Sequence, residues 1–223
     1  MLNTRSAKSI GMVRAWKKTF KRRWLCSHLR QRRENSFAAF ALGKLYLAGD
    51  AALPRDPAAA LKWLTYAAEL GNQFAQYRLG KLLLKGDDGI PKDVITAIRW
   101  LTAAAKQENG YAEYVLALVY LTGEDAPKDS VKALSLLKRS AGRGNQFAQY
   151  RLGKLLLQGE DAPKDVKAAI RWLTAAAEQG NQYAQYALGK LYLLGKEVPK
   201  IDPVRSSGSS WQRIRAMNML NIS

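Results

Sequence analysis

The chain has one histidine, His28, and one cysteine, Cys26, both within its first 34 residues. A cysteine–histidine pair can form a nucleophile and its base, but it needs a pocket and a third group to orient it. The surrounding run of Lys and Arg offers neither. Two ligands also fall short of the four that zinc usually takes. Carboxylate pairs recur at Asp87-Asp88, Glu124-Asp125 and Glu160-Asp161, at one loop position of successive units. They read as solvated turn residues, because acid–base work needs a cleft that perturbs their pKa values. No Gly-rich strand-to-helix motif is present to cradle a phosphate. The expectation is a chain that is not an enzyme and carries no metal and no cofactor. The chemistry left to it is that of a surface: aromatic rings, lysines and arginines at a fixed interval.

That interval comes from five copies of one phrase. Phe37 to Leu47 recurs as Phe74 to Leu84, Tyr111 to Leu121, Phe147 to Leu157 and Tyr183 to Leu193, at steps of 37, 37, 36 and 36 residues. A fixed period in this range marks stacked helical hairpins, each packing mainly on its neighbours. In the first unit, helix A is expected from Ser36 to Ala48, with Ala38, Leu42, Leu45 and Tyr46 on one face. Gly43, Gly80, Gly153 and Gly189 recur mid-helix, where glycine costs about 1 kcal/mol relative to alanine. Ala117 stands at that position in the third unit. A small residue there implies a partner helix too close for a larger side chain.

Gly49, Gly86, Gly123, Gly159 and Gly195 then read as helix ends. Asp56, Asp93, Asp129 and Asp165 each follow a proline by two residues and are suited to cap helix B. Helix B carries the stripe Ala60, Trp63, Leu64, Ala67, Ala68, repeated at Ala97 to Ala105 and Ala169 to Ala177, with Leu136 replacing tryptophan in the third unit. The tryptophans read as core residues facing small ones. Asn72, Asn109, Asn145 and Asn181 lead into the next helix A as turn or cap residues.

The pattern Ala-x-x-x-Leu-Gly-x-x-Tyr-x-x-Gly, Pro-x-Asp, Ala-x-x-Trp-Leu-x-x-Ala-Ala-x-x-Gly-Asn, plain at Ala184 to Gly195 and Asp165 to Asn181, resembles the Sel-one-like repeat family, relatives of the tetratricopeptide repeats. The resemblance covers about 37–202. It implies an all-α, right-handed superhelix of about four and a half antiparallel helix pairs, acting as an adaptor in protein complexes. Ala117, Leu136 and an incomplete fifth unit depart from the pattern. A narrower likeness, in Leu-Gly-Lys-Leu-Tyr-Leu and Gly-Asn-Gln-Tyr-Ala-Gln-Tyr, is to the repeat arrays of bacterial conjugative relaxases, which follow a DNA-nicking domain. That likeness gives an alternative reading as an accessory or fragment of a DNA-mobilisation protein with a nucleic-acid-binding arm.

The organisation expected is a basic arm or capping helix at 1–34, a solenoid at 35–202 and a tail or capping helix at 203–223. Net charge is +18, and residues 1–34 alone hold 11 Lys or Arg against a single acid, Glu34. Val13, Trp16, Phe20, Trp24 and Leu29, with Lys17, Lys18, Lys21, Arg22 and Arg23 between them, read as a basic amphipathic helix and an anion-binding arm. Four roles compete for it: a cap on the first repeat, the remnant of a larger nucleic-acid-handling protein, a direct contact to membrane or nucleic acid, and a targeting peptide. In the tail, Trp211, Ile214, Met217 and Leu220 read either as an improvised cap or as a disordered end. No run is long enough to span a membrane. The lone cysteine suits a reducing compartment, so the expected location is the cytoplasm.

Helix A also carries a second face. Phe40, Tyr77, Tyr114, Tyr150 and Tyr186 are expected to stack from unit to unit, with Lys44, Lys81, Lys154 and Lys190 four residues on, and Arg78 and Arg151 beside them. By analogy with tetratricopeptide proteins this face lines a groove. The candidate partner-binding set is Tyr77, Arg78, Lys81, Tyr114, Tyr150, Arg151, Lys154, Tyr186 and Lys190, and the occupant a protein or acidic peptide. The alternative is that the tyrosines pack on the adjacent repeat and the lysines are solvated.

Overall fold

The computed structural model describes residues 35–49, 53–86 and 89–194. Among them the regular structure is helical, apart from isolated bridge positions at Leu53 and Ile90. The helices are α1 (Ser36–Ala48), α2 (Pro57–Glu69), α3 (Gln73–Lys85), α4 (Val94–Lys106), α5 (Gly110–Thr122), α6 (Ser130–Gly142), α7 (Gln146–Gln158), α8 (Val166–Glu178) and α9 (Gln182–Leu194). None is long and apolar enough to cross a membrane. The chain forms two compact units, one ending at Ala104 and one beginning at Ala105.

Polar side chains set the start of every helix from α2 to α9. Asp56, Asp93, Asp129 and Asp165 accept from the amides of Ala59, Thr96, Lys132 and Ala168 at 2.9–3.0 Å. Asn72, Asn109, Asn145 and Asn181 do the same for Ala75, Ala112, Ala148 and Ala184 at 3.0–3.3 Å. Each cap satisfies amides that the helix itself leaves free, an effect of about 1 kcal/mol. The hairpins close alike: the amides of Asp56, Asp93, Asp129 and Asp165 donate to the carbonyls of Tyr46, Leu83, Tyr120 and Leu156 at 2.9–3.0 Å. The aspartate therefore anchors the loop through its backbone and starts the next helix through its side chain. Where α2, α6 and α8 end, Gly71, Gly144 and Gly180 take φ of 86–88°. After α4 the corresponding residue is Glu108, at φ 66°. A side chain stands there where glycine is otherwise used.

In the first unit the core holds Leu64, Ala67, Ala75, Leu79 and Ala97, and in the second Leu173, Ala176, Ala184 and Leu188. The mid-helix glycines make this packing possible. A Cβ built at Gly43, Gly80 or Gly153 would lie 2.8, 2.6 or 2.7 Å from Cγ of Leu64, Leu101 or Leu173. The repeated small residue thus receives the leucine that follows the tryptophan. The indoles at Trp63, Trp100 and Trp172 are half-buried, with Trp63 and Trp100 against the edge of the core and Arg99 5.5 Å over the Trp100 ring. The face expected on α1 also differs. Ala39, Leu42 and Gly43 are buried, while Ala38, Leu45 and Tyr46 are only half-buried, because the glycine turns the helix toward Leu64.

Gly153→Val is therefore expected to lower stability by about 1–3 kcal/mol through overpacking. Gly142→Ala, at a helical position with nothing within 4 Å of the added carbon, is expected to be neutral or stabilising by up to about 1 kcal/mol. Urea unfolding followed by circular dichroism measures both.

Candidate functional surface

On helix A the residue opening each phrase and the aromatic three positions later share a face. Phe37, Phe74, Tyr111, Phe147 and Tyr183 are all exposed, from 44% at Phe147 to 70% at Tyr183. These openers are the main exposed aromatic residues of the candidate surface that sequence reasoning missed. The signal was available: an aromatic at every phrase start, outside the Ala-Leu-Gly stripe.

The rings pair differently from expectation. The column Phe40, Tyr77, Tyr114, Tyr150, Tyr186 was expected to stack on itself. The ring contacts instead join Phe40, Tyr114 and Tyr150 to the opener of the next repeat. Phe40 meets Phe74 at 6.3 Å and 31° in the first unit. Tyr114 meets Phe147 at 6.2 Å and 32°, and Tyr150 meets Tyr183 at 5.8 Å and 33°, in the second. Partners are 33 or 34 residues apart, whereas the repeat is 36 or 37. Within each unit, neighbouring A helices are therefore offset by three residues, about 4.5 Å of helix rise. Such tilted pairs contribute about 0.5–1.5 kcal/mol beyond burial.

In the second unit Tyr114, Phe147, Tyr150, Tyr183 and Tyr186 lie on the matching faces of α5, α7 and α9. Tyr114 and Tyr150 are half-buried against their partners, and burial pushes the Tyr114 phenol up from its ordinary pKa. The packing alternative thus holds for these two tyrosines. Tyr186 is 57% exposed. Lys154 and Lys190 are exposed and Arg151 is half-buried. In the first unit Tyr77 is half-buried, Arg78 and Lys81 are exposed, and Lys44 sits 5.6 Å over the Phe40 ring. Each unit therefore presents aromatic rings beside cationic side chains. Such a surface can bury the apolar side chains of a bound segment and pair with its carboxylates.

Among the described residues no cluster of His, Cys, Asp and Glu could hold a metal ion. Glu124 and Glu160 are exposed, and Asp87-Asp88 lies outside the described residues. Asp161 differs from the solvated turn residue expected. It accepts from Ser130 Oγ at 2.8 Å and pairs with Lys128 Nζ at 2.8 Å, joining the loops before α6 and α8. These contacts hold its carboxyl below the usual range, with Lys128 the largest cause. Lys17, Lys18, Lys21, Arg22, Arg23, Cys26, His28 and the tail aromatic Trp211 lie outside the described residues.

A Sel1 repeat model matches residues 36–72, 73–109, 110–145, 146–181 and 182–206. Two solved structures are similar. A Sel1 repeat protein from Oxalobacter formigenes is 28% identical at a TM-score of 0.76, covering 95% of this chain and 84% of that one. The protein c5321, a protective antigen of uropathogenic Escherichia coli strains displaying an SLR fold, is 32% identical at a TM-score of 0.69 over 85% of this chain. This chain spans only 42% of the length of c5321. No curated protein sequence matches the chain.

Asp161 also sets a pH dependence. A carboxylate with a lowered folded-state pKa adds stability that is full above its unfolded value, near 3.9, and is lost as pH falls through the folded one. The urea midpoint is expected to drop below about pH 4, and Asp161→Asn to flatten that drop. Unfolding curves from pH 6 to pH 2.5 (roughly the carboxylate range) check it.

Proposed function

Because the chain belongs to the Sel1 repeat family, we propose that it is an interaction adaptor whose helix A faces hold an extended acidic segment of a partner protein. Sel1 repeat proteins in general mediate protein–protein interaction, and the family is a non-catalytic repeat scaffold. The observation that carries the finer reading is the second unit's exposed rings, Phe147, Tyr183 and Tyr186, set beside Lys154 and Lys190. Exposed rings on one helical face are costly to leave against water, and a partner's apolar side chains would cover them. The lysines select acidic partners and speed encounter, since opposite charges complement across an interface. In the first unit, Arg78 and Lys81 supply the same charge beside Tyr77.

The test uses the full chain against a panel of labelled peptides in which Glu and Phe alternate, with Lys-for-Glu versions as controls, read by fluorescence anisotropy. The Glu/Phe peptides are expected to bind and the Lys/Phe peptides not to. Lys154→Glu with Lys190→Glu should weaken binding at least about tenfold, or 1.4 kcal/mol, with unchanged circular dichroism. Phe147→Ala with Tyr183→Ala should weaken it comparably. Equal binding of both peptide types, or no effect of either double variant, would remove the acidic-segment reading.

A further inference from the structure

One inward position of helix A, buried at Gln76, Glu113 and Gln149 and half-buried at Gln185, is polar throughout the later repeats. Gln76, Gln149 and Gln185 each donate Nε2 to a carbonyl at the end of the preceding helix B, that of Ala68, Ala141 and Ala177, at 3.0–3.1 Å. Gln149 also accepts from Gln179 of its own repeat at 2.8 Å. The amide thus ties one repeat to the next by donating and to its own helix B by accepting.

The third repeat alters this contact at three positions together. Glu113 occupies the slot and is fully buried. A carboxylate cannot donate, so the carbonyl of Ala105 takes its hydrogen bond from Arg139 Nη2 at 3.4 Å. Arg139 Nη2 also lies 2.6 Å from Glu113 Oε1, and Arg143 Nε lies 3.3 Å from Oε2. Arg143 Nη1 reaches Glu108, the residue held at φ 66°, at 2.9 Å. In the first, second and fourth repeats the position of Arg139 holds Tyr66, Ala103 and Ala175, and that of Arg143 holds Leu70, Gln107 and Gln179. Among the described residues, no helix B but that of the third repeat offers a cation from these two positions.

The rest of the chain is poorly marked for order. Asn72 to Leu84 is identical to Asn145 to Leu157, and Ile98 to Ala105 is identical to Ile170 to Ala177. A glutamine in the slot fits against either of these partners, so the slot contact itself does not tell the helices of the second repeat from those of the fourth. Chains of near-identical units are prone to such misassembly.

We propose that Glu113, Arg139 and Arg143 are a register device that fixes the third repeat in place and so orders its neighbours. In a slipped pairing Glu113 is buried against Tyr66 and Leu70, Ala103 and Gln107, or Ala175 and Gln179. A buried carboxylate without a cation is strongly unfavourable. The native pairing need not be more stable than an amide pair for this to work, because the device acts by penalising the alternatives.

The experiment compares full-length variants in two measurements: the equilibrium urea midpoint, and the fraction of chain that regains the native elution volume and circular dichroism after rapid dilution from urea. Glu113→Gln with Arg139→Ala and Arg143→Gln rebuilds the amide pattern of the fourth repeat. It should keep the wild-type midpoint or exceed it, yet native recovery should fall to about half, the remainder eluting as larger species. Glu113→Gln alone, which leaves both arginines facing solvent, should lose recovery in the same direction. Arg139→Ala with Arg143→Gln strands the carboxylate and should lower the midpoint. Wild-type recovery by the triple and single variants would overturn the proposal. A triple-variant midpoint as low as that of the stranded carboxylate would also overturn it, by making the cluster an ordinary stabilising contact.

Discussion

The structure depends on how closely two helices of one hairpin approach. At Gly43, Gly80 and Gly153 the backbone of helix A lies so near a leucine of helix B that even a methyl group would collide with it. The closeness buries Leu64, Leu101 and Leu173 completely. Burial of one such side chain contributes about 1.5–3 kcal/mol, which outweighs the roughly 1 kcal/mol cost of a glycine in a helix. The third repeat tolerates Ala117, itself fully buried, at the same place. Side chains further along helix A inherit their directions from this contact, including the rings on its opposite face.

Short polar contacts complete the hairpins. The loop aspartates cap one helix and close the turn before it, and the asparagines cap the next. With the helix ends satisfied in this way, the loops need little structure of their own. Charge appears in the interior at Glu113, where two arginines and a displaced backbone bond replace one amide. Three coordinated changes at one slot are what a low-dielectric interior demands of a carboxylate. An isolated glutamine-to-glutamate change there would leave both an unpaired charge and an undonated carbonyl.

The outer aromatic face of each unit follows from the three-residue offset between its successive A helices. That offset brings the fourth residue of one phrase beside the first residue of the next. It buries part of Tyr114 and Tyr150 and leaves Phe147 and Tyr183 open to solvent. The same rings therefore join neighbouring repeats within a unit and leave an exposed aromatic face. In the proposed adaptor role, rings fixed on helices are in position before a partner arrives, which limits the ordering cost of binding.

The sequence by itself determined the helices, their bounds near Ser36 and Ala48, the aspartate and asparagine caps, and the presence of a close helix approach. Each rests on local geometry: a cap acts within three residues, and the helical period is fixed by the backbone. It also marked Tyr77, Tyr114, Tyr150 and Tyr186 as equivalent positions, because a strict repeat places like residues at like points. The residue opposite the glycines, the pairing of Tyr114 with Phe147, the burial of Glu113 and the link from Asp161 to Lys128 were decided only in three dimensions. All four depend on how far one helix slides along another, and that displacement is set by the summed packing of two surfaces, a quantity no single stretch of chain contains.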